Sequence, residues 1–308
     1  MWREVKQHMS NKFIKRVVKM KYWKILSLVF CTFAFAVNCK AHAGVKQIET
    51  KYNVKIGVYA IDTNNGNSFS YASDERFPFQ STVKMVVAAA ALKNIEADER
   101  IKISSDDIVF WSPIVRLNLD RGYMTIKELA EAAMSYSDNA ATNILITRLG
   151  GTKSINEFAK SIGNASFYLE NLEPNLNSDP NNIHDSSTPK DMAQSIQKLL
   201  IENNVLSQEN QHILKTWMMN NTTGYKKIRY GLPLGWSAAE KTGGGSGTSH
   251  DIGIVWSPAC KPIVLAIYTF SNKKDNAQQA DKAIAETTKF ILDEFSKKNI
   301  CFSATDFK

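Results

Sequence analysis

Strand-like sequence occurs only at the two ends of this chain's globular part, and that limits the folds open to it. "VKIGVYAID" (54–62) and "SFSYAS" (68–73) are β-rich runs joined by the turn "NNGN". Three more β-rich runs come only much later: "SAAEKTG" (237–243), "SHDIGIVWS" (249–257) and "PIVLAIYTF" (262–270). The stretch between carries helix signals. A helix is expected from Ser81 to about Asn94. Another starts at Thr125, where "TIKE" makes a capping box with Glu128. "NAATNILITRL" closes on Gly150 and Gly151, "TPKD" (188–191) puts Pro in a first turn, and "SQENQHILKTWMM" reads as a further helix. The last element spaces Ile284, Ile291 and Phe295 on one helical face. The simplest architecture is α/β (α+β): one five-stranded antiparallel sheet, the end helix lying on it, and an inserted all-helical lobe. Residues 44–73 and 221–308 then form the α/β lobe. Residues 74–220 form the helical lobe, including an aperiodic stretch at 165–187 of the length that compact domains reserve for function.

Residues 1–43 read as a signal peptide. A basic region (1–24) precedes the short apolar core "ILSLVFCTFAFAV" (25–37), and "AHA" (41–43) gives a small-x-small site before Gly44. Met20 followed by "KYWK" gives a more ordinary leader than Met1 or Met9. The apolar core is short for a membrane span. A lipoprotein site needs a small residue before Cys, but Phe30 precedes Cys31 and Asn38 precedes Cys39. The expectation is secretion to the periplasm after cleavage near Ala43. The leader also explains the net charge of +8: nine of the 38 basic residues and one of the 30 acidic ones fall within it, leaving 29 of each. The charge balance therefore gives no support for a nucleic-acid partner, and no membrane partner is expected after cleavage. Cys260 and Cys301 remain in the mature chain and could pair in an oxidising compartment.

The stretch "QSTVKM" (80–85) runs into the alanine-rich "VVAAAALKN". Four Ser-x-x-Lys matches occur, at Ser81/Lys84, Ser187/Lys190, Ser195/Lys198 and Ser271/Lys274. Only the first opens an apolar helix, where residues i and i+3 share a face and water is scarce. A lysine there is costly unless it is paired or neutral, and beside a serine it can activate a nucleophile. Ser137-Asp138-Asn139 falls at a break between helices, where all three types also serve as caps. Lys241-Thr242-Gly243-Gly244-Gly245 ends a strand, where a tight turn with a solvated lysine is the plainer reading. Glu173 and Asn177 lie four apart in "EPNLN", within the aperiodic stretch.

Ser-x-x-Lys, Ser-Asp-Asn, a loop glutamate and Lys-Thr-Gly, in that order, are the signature set of class A serine β-lactamases. The sequence resembles that family across essentially the whole mature chain, with "WSP" (111–113), "MTIKELAEAAMSYSDNAATN" and "NTTGYKKIRYGLP" as further similar blocks. The resemblance implies the serine β-lactamase/DD-peptidase-like fold and hydrolysis of a small-molecule β-lactam by a secreted monomer without metal or cofactor, conferring antibiotic resistance. Ser81 would form the acyl-enzyme, and Lys84, or Glu173 through a water, would take its proton. The Ser81 and Gly244 backbone N–H groups would form the oxyanion hole. Ser137 would relay a proton to the leaving nitrogen, and Glu173 with Asn177 would activate the deacylating water. Asn139 would bind the substrate's side-chain amide, Lys241, Thr242 and Arg229 its carboxylate, and Trp111 would wall the mouth.

The sequence departs from the family pattern in places. An arginine often precedes the loop glutamate by two residues and pairs with an aspartate near the loop's end; here those positions are Asn171 and Asp185, so a less firmly pinned loop is expected. Ala88 and Ala130 stand where many members carry a disulfide. Gln80 and Gly245 stand where some carbapenem-hydrolysing members carry another. Two rival readings stay open: a penicillin-binding DD-peptidase, which shares the Ser-x-x-Lys, Ser-Asp-Asn and Lys-Thr-Gly motifs but lacks the glutamate arrangement, and a non-enzymatic β-lactam sensor, which needs membrane helices and a cytoplasmic partner. A metallo-hydrolase is disfavoured, because His184, His212 and His250 show no clustered ligand spacing.

Overall fold

The computed structural model describes residues 42–176 and 184–297. Most of the leader, Asn177 and Cys301 lie outside them. The chain divides into two compact units, residues 1–46 and 47–308. Of the first, residues 42–46 are helical and belong to helix α1 (42–52). The second unit holds every element named below.

After the rest of α1 come strands β1 (Lys55–Asp62), β2 (Ser68–Tyr71) and β3 (Phe77–Pro78). A 3-10 turn (Gln80–Thr82) leads into α2 (Val83–Asn94), followed by β4 (Arg100–Lys102), α3 (Pro113–Leu117) and β5 (Tyr123–Thr125). Then come α4 (Ile126–Ser135), α5 (Asn139–Arg148), α6 (Thr152–Ser161), β6 (Ser186–Ser187), α7 (Pro189–Leu200) and α8 (Gln208–Met219). The chain finishes with β7 (Ser237–Gly245), β8 (Thr248–Trp256), β9 (Ile263–Phe270) and α9 (Ala277–Ser296).

The five long strands make one sheet in the order β2-β1-β9-β8-β7, antiparallel throughout. The first and last thirds of the chain thus close on each other, with Lys55 opposite Phe270 and Asp62 opposite Ile263. One cross-sheet row runs Gly57–Tyr268–His250–Gly243. Its two glycines are needed for close approach. A Cβ on Gly57 would sit 2.3 Å from the Phe77 ring, and one on Gly243 would sit 2.9 Å from the Phe79 carbonyl. This face therefore seats directly on the 3-10 turn and α7. Ala239, Ile252, Ile254, Val264, Ala266 and Tyr268 join one apolar cluster with α2, α4 and α5.

Helix α2 is buried at every position from Val83 to Leu92, lysine included, which makes it a core helix rather than an amphipathic one. The expected caps are present. Thr125 and Glu128 form the reciprocal box, and the Thr188 and Ser207 hydroxyls accept from the third residue onward. The first helical turn differs from expectation. Gln80 has a left-handed φ of 49°, and Thr82 N–H and Oγ1–H both bond back to Phe79 O. Residues 80–82 are thereby wound as a 3-10 turn, and the α-helix begins at Val83.

Cys260 is in a disulfide. No helix among the described residues is long and apolar enough to cross a membrane.

Candidate active site

Four residues converge on one amine. Lys84, fully buried on α2, donates to Ser81 Oγ at 2.9 Å, to Ser137 O at 2.9 Å and to Ser137 Oγ at 3.3 Å. It also bonds Asn139 Oδ1, and its Nζ lies 3.6 Å from Glu173 Oε1. The three-residue step from Ser81 to Lys84 brings both side chains to one face, as one helical turn should. Burial pushes the Lys84 ammonium down to about 8, against the upward pull of the Glu173 and Asp138 carboxylates.

Ser137 has a left-handed φ of 59°, a conformation uncommon outside glycine. Asp138 holds it there. One Asp138 oxygen accepts the Ala141 N–H as the N-cap of α5; the other accepts the Ile114 and Val115 N–H groups of α3. Asp138 is thus the expected cap, and the same cap orients Ser137 beside it. Ser137 Oγ lies between two amines, because Lys241 Nζ donates to it at 3.2 Å from β7. Lys241 is fully buried, and both burial and the Lys84 and Lys227 charges push its ammonium well down.

Glu173 comes from the aperiodic stretch, yet its side chain is only 12% exposed and faces Lys84. Burial raises its carboxyl, and the Lys84 charge opposes that. Its backbone is clamped by one side chain on α5: Asn143 Nδ2 donates to Glu173 O at 2.8 Å, and Glu173 N donates to Asn143 Oδ1 at 3.0 Å. The sequence signal for Asn143 is only that it lies one turn beyond Asn139, spacing that marks a shared face. Among the described residues, the stretch leading to Glu173 is tied to Asp185. Asp185 accepts the Glu170 N–H (2.8 Å), the Asn171 N–H (3.0 Å) and the Asn171 side-chain amide (2.8 Å). An amide here makes the link to the aspartate that a guanidinium was expected to make.

The remaining expected residues fall around this centre. Thr242 bonds Thr223 Oγ1, and Lys241 Nζ donates to Thr242 O. A Cβ on Gly244 would meet only Thr248 O, at 3.9 Å, so β7 is open there. Gly245 is covered by the Gln80 amide, which a Cβ would approach to 2.6 Å. Trp111 is 54% exposed and donates its Nε1–H to Tyr136 O, so it is not a packing residue. Asn139 sends Nδ2–H to Phe110 O and is committed at both ends. The Arg229 guanidinium is engaged by protein groups. Its Nε lies 2.9 Å from buried Glu240, and its terminal nitrogens bond the carbonyls of Met218, Met219 and Asn221. Lys227, for which the sequence offers no motif, is a second buried cation that, after Lys84, lowers Lys241. No cluster of three or more potential metal ligands occurs among the described residues.

A half-buried serine on a buried lysine, between an antiparallel sheet and a helical layer, with a second serine between two amines and a carboxylate opposite, defines an active-serine hydrolase. The model of the β-lactamase enzyme family matches residues 40–295. β-Lactamase 3 of Bacillus cereus is 42% identical over 267 residues, covering 85% of this chain and 83% of that protein. The imipenem-hydrolyzing β-lactamase of Enterobacter cloacae is 38% identical over 275 residues, covering 86% and 93%. The crystal structure of a class A β-lactamase from Clostridium kluyveri superposes with a TM-score of 0.80 at 36% identity, covering 84% of this chain and 99% of that one. The chain belongs to the β-lactamase enzyme family and is a class A serine β-lactamase, a hydrolase acting on β-lactams.

Proposed function

We propose that Ser81 Oγ attacks the β-lactam carbonyl and that Lys84, or Glu173 through a water, takes its proton. The oxyanion is met by the Ser81 and Gly244 N–H groups. Ser137 then protonates the leaving nitrogen. Its oxygen already accepts from Lys84 and Lys241, so its own hydrogen is free to point at substrate. Glu173, with Asn177 from outside the described residues, activates the water that hydrolyses the ester. Asn139 lines the substrate's amide side and Trp111 the mouth. Lys241 and Thr242 hold the carboxylate. Arg229, expected to join them, contributes there through its charge and its grip on Glu240. Residues 44–73 with 221–308 act as one lobe and 74–220 as the other, with the cleft between. The protein is exported to the periplasm as a monomer after cleavage near Ala43, and it destroys β-lactam antibiotics there; the support for export is the basic, apolar and small-residue order of the leader.

The observation that carries this reading is the 3.6 Å from Glu173 Oε1 to the amine that also holds Ser81 Oγ. A carboxylate beside the lysine that holds the nucleophile is what would separate self-clearing hydrolysis from trapping of an acyl-enzyme. The test is turnover of a chromogenic β-lactam by the mature protein beside Glu173→Ala. Multiple turnovers are expected of the parent. The variant should acylate and remain acylated, seen as a persistent mass adduct on Ser81. Equal product release by both proteins would remove Glu173 from the deacylation step.

A further inference from the structure

The carboxylate pocket proposed above rests on Thr242, whose hydroxyl has a single proton. Where that proton points in the free enzyme is fixed by two residues outside the four motifs. Asn221 is fully buried, and its Oδ1 receives both the Thr223 N–H at 3.2 Å and the Thr223 Oγ1–H at 2.7 Å. The amide orientation is not arbitrary. A backbone N–H can only donate, so the Asn221 atom facing it must be the oxygen; Nδ2, turned away, is left without a partner. Thr223 has one hydroxyl proton, and Asn221 takes it. In the short contact between Thr223 Oγ1 and Thr242 Oγ1, Thr223 must then accept and Thr242 must donate. The free enzyme thus turns the Thr242 proton away from the cleft and offers lone pairs to an incoming carboxylate, which itself has only lone pairs.

We infer that Thr223 and Asn221 are positioning residues for carboxylate recognition: a two-step hydroxyl relay whose direction reverses when the substrate's carboxylate arrives. This rests on the assignment of Thr242 to that carboxylate. On binding, Thr242 O–H swings to the carboxylate and Thr223 O–H swings to Thr242 Oγ1. Asn221 Oδ1 keeps the Thr223 N–H, so no buried acceptor is orphaned. No heavy atom need move, and the number of hydroxyl-donated bonds is the same before and after. In the bound state the Thr223 proton polarises Thr242 as a donor. Without it, the Thr242 oxygen would face an apolar neighbour with no donor of its own.

The experiment compares a chromogenic cephalosporin bearing a free carboxylate with its methyl ester, each assayed on wild type, Thr223→Val, Thr223→Ser and Thr242→Val. The readout is the ratio of kcat/KM for acid over ester. Thr223→Val should lower that ratio about tenfold, about 1.4 kcal/mol, through KM for the acid more than through kcat. Thr223→Ser keeps the relay and should restore the ratio. Thr223→Ala carries the same expectation as Val and replaces it if Val does not fold. An unchanged ratio in Thr223→Val, or equal loss for acid and ester, overturns the relay while leaving the pocket intact, provided Thr242→Val does lower the ratio. If Thr242→Val leaves the ratio unchanged, the carboxylate assignment itself fails, and the relay with it.

Discussion

Lys84 is where burial, charge and chemistry meet most tightly. A neutral amine is a base and an ammonium is not, so its protonation decides whether it can take the proton of Ser81. Burial brings it to about 8, and Glu173 pulls the other way. If Lys84 is the acylation base, kcat/KM rises with pH through about 8 and levels above it, because that constant reports groups of the free enzyme. Glu173→Gln removes a charge that raises Lys84, so the rise should move to lower pH. Stopped-flow acylation rates across pH 5–9 for the two proteins check this; an unmoved rise would show that the two groups are not coupled. The same shift sets a sign for stability. Lys84 titrates lower folded than unfolded (ordinary value 10.5), so the unfolded chain holds more protons between about 8 and 10.5. This residue therefore makes folding more favourable as pH climbs through that window, and its penalty is in full force below it.

At the scale of elements, the segment carrying Glu173 is held from both sides: by Asn143 from α5 and by Asp185 just before β6. The Asp185 carboxylate takes two backbone N–H groups and one amide, and Asn171 supplies only that last bond through its side chain. The two residues are therefore unequal. Asp185→Ala frees three donors and should slow deacylation tenfold or more while acylation changes little. Asn171→Ala keeps both backbone bonds and should cost less than threefold. Burst and steady-state rates on one substrate separate the two steps. Equal effects would mean that the side-chain amide, rather than the backbone clamp, sets the loop. The capping box at Thr125 and the proline start at Pro189 could be read directly from sequence because they rest on contacts three residues apart. The clamp could not, since Asn143 and Glu173 are thirty residues apart and meet only once α5 is packed.

For the molecule as a whole, the five long strands and the end helix were legible, because alternation and periodicity are local and the sheet's closure follows from strands at both ends. Strands β3, β4, β5 and β6, two or three residues each, left no pattern, since pairs that short exist only where tertiary packing brings them together. Helix α6 was likewise not anticipated. Ser81, Lys84, Ser137, Glu173 and Lys241 could be picked out from their motifs, and the structure brings them together. Arg229 was legible as a charge but not by its partner, because Glu240 faces it only after β7 joins the sheet. That partner changes what Arg229 should do. Glu240 is fully buried, and burial together with nearby Asp251 raises its carboxyl, while Arg229 draws it down. Where Glu240 is ionised, removing its partner leaves an uncompensated charge, costing about 3–5 kcal/mol. Arg229→Ala should therefore lower the melting temperature markedly. The sign with pH follows: without the guanidinium Glu240 titrates higher still, and a carboxyl raised in the folded state loses stability as pH climbs through its folded value. The loss relative to wild type should accordingly be larger at pH 8 than at pH 5, with KM for a β-lactam acid changed far less than stability. A variant that melts like wild type at both pH values but binds the acid poorly would instead return Arg229 to the substrate's carboxylate.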